Sequence, residues 1–247
     1  MPANNWFATW FNSPYYHILY KNRDKEEAKL FMSHLAEYLN IPANASILDA
    51  ACGKGRHSAF LASNGFAVTG CDLASDSIAE AKKTYEDIIT NPFYSLSFFV
   101  HDIRKPFKTR AFDYVFNLFT SFGYFETEEE NQETINALAA NLKTNGVLVL
   151  DFFNTEKVLQ TLPLSEKKEV DGISFDITKS LQGKFIVKDI CFEDKHFQER
   201  VMAISYQDFL KYFEQANLQV QKCFGSYQLS DYEPTNSDRM IWIAKKV

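Results

Sequence analysis

Cysteine is sparse and unclustered in this sequence. Cys52, Cys71, Cys191 and Cys223 are scattered with no CxxC pair, so no zinc site is implied and no metal ligand set is expected. An excess of basic charge is also missing. Against 32 acidic residues stand 26 Lys and Arg, giving a net charge of −6, a pI near 5.4 and no Lys/Arg cluster of the kind a nucleic-acid face requires. No apolar run approaches the ~20 residues of a membrane span. The stretch Trp6 to Phe11 is apolar but too short for a signal peptide and lacks a basic lead. There is no internal repeat, low-complexity tract or linker. What remains is a reduced, cytoplasmic protein with a small-molecule partner, and with neither a nucleic acid nor a membrane; its oligomeric state is not readable.

Apolar and aromatic residues are plentiful. A chain of 247 residues that is 46% hydrophobic, with 23 Phe and 12 Tyr, can bury one large core and still line a small-molecule pocket with rings. From Asp24 to Leu39, apolar residues recur at helical spacing. Strand and helix patterns then alternate: strand 46–49, helix 58–64, strand 67–71, helix 75–89, strands 97–100 and 114–116, helix 128–142, strand 147–152. Gly65, Gly70 and Gly146 are read as marks of element ends, and Thr127 with Glu130 as a capping box. Repeated β-α-β units predict an α/β fold, a doubly wound, mostly parallel Rossmann-like sheet with an antiparallel last strand. After Asn154 the pattern changes to an antiparallel β-meander over about 170–205, then a helix opened by Ser205 and Asp208, and two final strands at 218–224 and 240–244. The expected organisation is an N-terminal helical cap (1–45), a cofactor-binding core (46–164), an inserted meander serving as a substrate lid (165–205) and a C-terminal helix and hairpin (206–247).

The segment "ILDAACGKGRHS" (47–58) turns the first strand into the first helix, where ligands bind in doubly wound sheets. Gly53 and Gly55 let the backbone come close to a ligand. Asp72 ends the second strand, in "VTGCDLA", where a carboxylate can accept both hydroxyls of a ribose. To this point a dinucleotide and an adenosyl ligand fit equally well. Asp49 favours the second, because an acid at this turn repels a pyrophosphate and attracts a cationic ligand. A third acid, Asp102 in "FVHDIR", ends the third strand, where it can accept from an adenine amino group. Ammonium, ribose and adenine are parts of S-adenosylmethionine.

With these motifs the chain resembles the class I S-adenosylmethionine-dependent methyltransferases of small-molecule type. The resemblance runs through "FDYVFNLFTSFGYF" and "LKTNGVLVLDFFN", so it covers residues 46 to about 154. Ala51 departs from it, standing where many members carry the loop's first glycine. The resemblance implies that Ala51, Cys52 and Gly53 lie against the methionine moiety, that Leu73 and Ile103 flank the adenine, that Asn117 offers its carbonyl to the cofactor ammonium, and that Phe119 packs beside the reactive methyl. The segment "SPYYHILYKNR" resembles the piece that closes over the cofactor in small-molecule members, with Tyr20 and Arg23 reaching the methionine carboxylate; Arg23 suits a surface ion pair equally well. "NPFY" at 91–94 imitates a nitrogen-binding motif of other methyltransferases but precedes the third strand, and is read as a turn.

The expected reaction is in-line methyl transfer from S-adenosylmethionine to an N, O or C atom of a small acceptor, leaving S-adenosylhomocysteine. A non-catalytic sensor of either compound and a nicotinamide-dependent oxidoreductase are the alternatives. Meander and final hairpin stand over the carboxyl ends of the strands, so Tyr124, Asn154, His196, Arg200, Tyr227, Tyr232 and Arg239 are the acceptor-pocket candidates. His196, Gln198 and Arg200 share one strand face, which is either a polar pocket wall or a solvated surface. His57 and His101 are read as structural, and no general base is assigned.

Overall fold

The computed structural model describes residues 6–21 and 25–247. Its first half alternates as the sequence predicts: β1 (Ser46–Ala50), α4 (Arg56–Ser63), β2 (Ala67–Asp72), α5 (Ser75–Thr84), α6 (Glu86–Thr90), β3 (Ser95–Val100), β4 (Phe112–Asn117), α7 (Glu128–Asn141) and β5 (Leu142–Phe153). Three helices precede them: α1 (Trp6–Phe11), α2 (Pro14–Leu19) and α3 (Lys25–Tyr38). After β5 come α8 (Thr155–Gln160), four strands β6 (Leu164–Val170), β7 (Ile173–Gln182), β8 (Phe185–Phe192) and β9 (Lys195–Met202), then α9 (Tyr206–Gln215), β10 (Leu218–Phe224) and β11 (Arg239–Lys246).

The main sheet has the order β10-β11-β5-β4-β1-β2-β3, and only β11 runs antiparallel to its neighbours. Strand order reverses beside β1, so the crevice at its carboxyl end is where such a sheet holds a ligand. Both faces are covered. Leu138, Phe152, Phe209, Phe213 and Trp242 pack on one side, and Phe31, Leu35, Ile47, Phe116 and Ile241 on the other. Central strands buried on both faces read as continuous apolar runs, as in "VLVL" of β5.

Two local readings change. The expected helix 75–89 breaks at Tyr85, which joins α5 to α6 and turns its ring toward Phe98 (centroids 6.3 Å apart). Gly70 lies inside β2 and Gly146 inside β5, which starts at Leu142, so neither ends an element; a Cβ at Gly70 would meet the Phe98 ring at 2.6 Å. The role of Gly70 is to let that ring cross the strand. "NPFY" is a turn before β3, with Asn91 Oδ1 accepting from the Phe93 N–H (3.0 Å). Capping boxes at Thr127/Glu130 and Ser205/Asp208 form as read.

The second sheet, β6-β7-β8-β9, is an antiparallel meander with one strand more than expected. β6, "LSEKKEV", was missed because it is an edge strand with five of its seven residues exposed, and so carries no apolar alternation. Trp10, Leu19, Phe175, Ile177, Ile190 and Phe192 form a separate core between α1, α2 and this sheet. The meander therefore holds the N-terminal helices against the open end of the main sheet.

Candidate active site

The carboxyl ends of β1, β2 and β3 carry Asp49, Asp72 and, just beyond β3, Asp102. All three line one cavity of about 940 Å³ that runs from these strand ends to the meander. Ala51 bends the chain after β1 with φ +62°, the conformation that glycine adopts freely. Gly53 follows at φ +55° with open space where a Cβ would stand, so the loop presents bare backbone to the cavity. Gly55 is different, since a Cβ there would meet Phe98 at 2.4 Å.

Each carboxylate is held in its own way. Asp49 is buried and accepts from Ser58 Oγ at 2.6 Å; burial lifts its pKa from 3.8 to about 6 despite that hydrogen bond. Asp72 accepts from the N–H groups of Gly53 (2.8 Å) and Ala74 (2.8 Å), which aim it at the loop, while burial raises its pKa. Partial burial pulls Asp102 upward, but the Arg104 side chain, donating from Nε (3.1 and 3.0 Å) and Nη2 (2.7 Å), holds it below the ordinary value. Leu73 and Ile103 stand beside these acids on the cavity wall, as does Cys52, whose thiol burial raises well above its usual range. No nucleophilic thiolate is available there.

The loop after β4 supplies the next wall. Phe119 (φ +57°) and Thr120 (φ +61°) both take the left-handed conformation that side chains seldom adopt. Asp151, fully buried near the end of β5, holds them. Its carboxylate accepts from the Phe119 N–H (2.8 Å), Arg239 Nε (2.8 Å) and Tyr227 Oη (3.3 Å), and Arg239 Nη2 reaches Thr120 Oγ1 (2.9 Å). Burial raises the Asp151 pKa, and the Arg239 guanidinium opposes that rise. His57 stacks on Phe119 (4.6 Å between centroids, 12° between planes); burial and the adjacent Arg56 push its pKa down to about 3, so it stays neutral. His101 accepts no base role in this geometry, since its Nε2 lies 2.8 Å from the Lys105 carbonyl.

Of the residues singled out from sequence, the cavity gathers Tyr20, Asp49, Ala51, Cys52, Gly53, Asp72, Leu73, Asp102, Ile103, Phe119, Tyr124, Tyr227 and Arg239. Arg23 lies outside the described residues. Asn117 is fully buried beneath the wall, its Nδ2 donating to the Ala50 carbonyl (3.0 Å), and Leu118 lines the cavity in its place. Asn154 is the N-cap of α8; its Nδ2 donates to the carbonyls of Pro234 (2.7 Å) and Ser237 (2.8 Å), which ties down the loop before β11. Tyr232 stacks on Tyr206 behind it (5.2 Å).

His196 and Arg200, acceptor-pocket candidates from sequence, lie outside the cavity, on the solvated side of their strand, the second of the two readings of that face. His196 Nε2 lies 2.8 Å from Asp189 on an exposed face, and Arg200 Nη1 donates to Glu126 Oε1 (3.0 Å). A strand alternates faces at every residue, so the side of β9 toward the cavity carries Glu199 and Val201. Glu199 Oε1 accepts from Trp10 Nε1 (2.7 Å) and from Tyr20 Oη (2.7 Å), and Lys188 donates to Tyr20 Oη. Sequence reasoning missed Glu199, Lys188, Lys179 and Asp151. The first three lie on the sheet face of Phe197, which its cross-strand apolar partners Ile190 and Ile177 mark as inward.

Room above Gly53, the left-handed turn at Ala51 and three spaced carboxylates form a set of acceptors suited to a cationic adenosyl compound and hostile to a pyrophosphate. Residues 47–146 match the family model described as a methyltransferase domain. A Bacillus subtilis protein named as a methyltransferase is 26% identical over 223 residues, 84% of this chain and 86% of its own. Residues 47–146 are a methyltransferase domain, and the chain is an S-adenosylmethionine-dependent methyltransferase.

Two further relatives bear on the fold and on chemistry within this family. An S-adenosylmethionine-dependent methyltransferase from Clostridium acetobutylicum superposes with a TM-score of 0.79 at 18% identity, covering 98% of each chain, and so shares the fold. The dTDP-3-amino-3,4,6-trideoxy-alpha-D-glucopyranose N,N-dimethyltransferase of Streptomyces venezuelae is 28% identical over 138 residues, 55% of this chain and 54% of its own length. The methyltransferase cofactor is S-adenosylmethionine, whose sulfonium supplies an electrophilic methyl group.

Proposed function

We propose that this methyltransferase transfers the methyl group to a nitrogen of a small-molecule acceptor. The observation that carries the reading is the shape of the cavity. At about 940 Å³ it has room for the cofactor and one small acceptor together, with α2 and the meander among its walls. The choice of nitrogen draws on the aminosugar N,N-dimethyltransferase among the relatives and on the aromatic walls, where Tyr16, Tyr20, Phe119, Tyr124 and Tyr227 can face an alkylammonium.

In this reading Asp49 faces the cofactor ammonium, Asp72 the ribose and Asp102 the adenine. Ala51, Cys52 and Gly53 lie along the methionine moiety, with Leu73 and Ile103 flanking the base. Phe119 forms the floor of the reacting centre, fixed by Asp151 below and His57 alongside. Rate then comes from position and exclusion of water. A neutral amine needs no base to attack, so the absence of an assigned base in the cavity is compatible with the chemistry. The meander acts as lid and the N-terminal helices as cap, consistent with their shared core around Trp10 and Phe192.

Incubation with S-adenosylmethionine labelled in its methyl group, across matched amines and alcohols, tests this. Mass spectrometry should find the label on amine nitrogen with S-adenosylhomocysteine released in equal amount. Transfer to alcohols alone, or to added peptide or nucleic acid, would overturn the proposal.

A further inference from the structure

At the far end of the cavity from the three carboxylates, one row of residues crosses the meander. Leu164 of β6 pairs with Lys179 of β7, Lys179 with Lys188 of β8, and Lys188 with Glu199 of β9. Lys179, Lys188 and Glu199 all line the cavity. Like charges directly opposite on neighbouring strands are destabilising, and a sheet has no structural reason to set two lysines side by side on its inward face. Lys188 is compensated: Glu199 lies 3.8 Å away, Tyr20 Oη accepts from it, and its ammonium sits 4.6 Å from the Tyr20 ring centroid. Glu199 is fully engaged as well, with Trp10 and Tyr20 on Oε1. Lys179 has no hydrogen bond or ion pair among the described residues, although it stands at a half-buried position on the same wall.

The two ends of the cavity thus differ in sign. Asp49, Asp72 and Asp102 meet the cationic cofactor. The acceptor end carries Lys179, Lys188 and Arg239 against Glu199 alone, with Asp151 answering Arg239 from behind. Other charges near the acceptor end are already paired, as Lys21 is with Asp171. A local rule broken without internal compensation marks a place where something else supplies the missing charge.

We propose that Lys179, backed by Lys188, binds an anionic group of the acceptor, so that the methylated compound is a small amine carrying a carboxylate or a phosphate. This rests on the amine reading above and names the acceptor class within it. The anion bridges the two ammonium groups at one end and leaves the amine toward Phe119. A carboxylate and a phosphate meet lysine alike, as a point charge.

Calorimetry on the full chain saturated with S-adenosylhomocysteine tests this with matched probes: glycine against glycinamide for carboxylate, and glucosamine 6-phosphate against glucosamine for phosphate. At least one anionic probe should bind ten-fold or more tightly than its neutral partner, and the pair showing the preference identifies the anion. Lys179→Met should erase that preference, Lys179→Glu should reverse it, and both should leave S-adenosylhomocysteine affinity within two-fold. Because Lys179→Met removes a like-charge pair, its melting temperature should stay level or rise, which separates lost recognition from lost folding. Equal binding of charged and neutral probes, or a preference that survives Lys179→Met, overturns the inference. Labelled-methyl transfer is read on the same probes. An anionic amine that binds through Lys179 but takes no methyl leaves this inference standing and removes the amine reading. Neutral amines methylated as readily as charged ones do the opposite.

Discussion

The two ends of the cavity are built on different terms. At the carboxyl ends of β1, β2 and β3, backbone and carboxylates make the wall, and each acid is held from within the same stretch of chain, 49 to 104: Asp49 by Ser58, Asp72 by Gly53 and Ala74, Asp102 by Arg104. At the meander end, side chains from distant elements meet. Glu199 is reached by Trp10 and Tyr20 across almost the whole chain. The first arrangement recurs wherever a parallel sheet turns strand into helix. The second depends on an inserted sheet and can vary with the acceptor.

Asp151 is the seam between the two, and breaking it should give the largest effect. Asp151→Ala leaves the half-buried Arg239 and the Phe119 N–H without their acceptor, and loss of one partner of a buried pair costs about 3–5 kcal/mol. Thermal or urea unfolding should show a loss of that size. A change of only a few tenths would mean that Arg239 and Phe119 find other partners, and that the β4 loop is held from elsewhere.

Next comes the cofactor end alone. Asp72→Ala removes the proposed ribose acceptor, and hydrogen bonds to a charged group contribute about 1.5–3 kcal/mol each. Calorimetric affinity for S-adenosylmethionine and for S-adenosylhomocysteine should fall by about a hundred-fold, equally for both. Retained affinity would move the ribose away from β2.

Asp49 gives a smaller effect with a defined pH window. Burial lifts its pKa from 3.8 to about 6. Between those values the folded chain holds a proton that the unfolded chain has released, so from this group stability falls as pH rises through the window and is level above it. Cofactor binding runs the other way, because only the ionised carboxylate attracts a cation. Affinity for S-adenosylmethionine should rise with pH up to about 6, by as much as about ten-fold per unit, and then level off. Asp49→Asn should flatten that profile; a profile that keeps its slope would assign it to another group.

How much of this was readable from the sequence follows the same division. β-α-β alternation, the glycine loop and one acid after each of three strands are local patterns, and the residues they pick out, Asp49, Gly53, Asp72 and Asp102, line one cavity. Asn117 does not line that cavity: its side chain turns inward to the Ala50 carbonyl, and Leu118 takes the wall. The acceptor end was legible only as a meander, for two physical reasons. β6 is an exposed edge without alternation, so it could not be counted. And on β9 the polar residues His196, Gln198 and Arg200 stand out, while Phe197, Glu199 and Val201 supply the inward face. A strand's period of two makes a one-residue error of phase invert every assignment. Asp151 sat in an apolar run and gave no sign that three residues from three segments, Phe119, Tyr227 and Arg239, would converge on its carboxylate.

The phase of β9 can be checked directly, with the smallest effect expected of all. His196 has its side chain 58% exposed and, among the described residues, only Asp189 as an ionic partner. Surface substitutions of this kind stay within about 0.5 kcal/mol. His196→Ala should leave melting temperature, cofactor affinity and methyl transfer unchanged, whereas Glu199→Gln, one residue out of phase with the other two positions of that face, should weaken acceptor turnover. If His196→Ala slows transfer and Glu199→Gln does not, the meander presents its other side to the acceptor, and the contrast between the two ends of the cavity would have to be redrawn around His196 and Asp189.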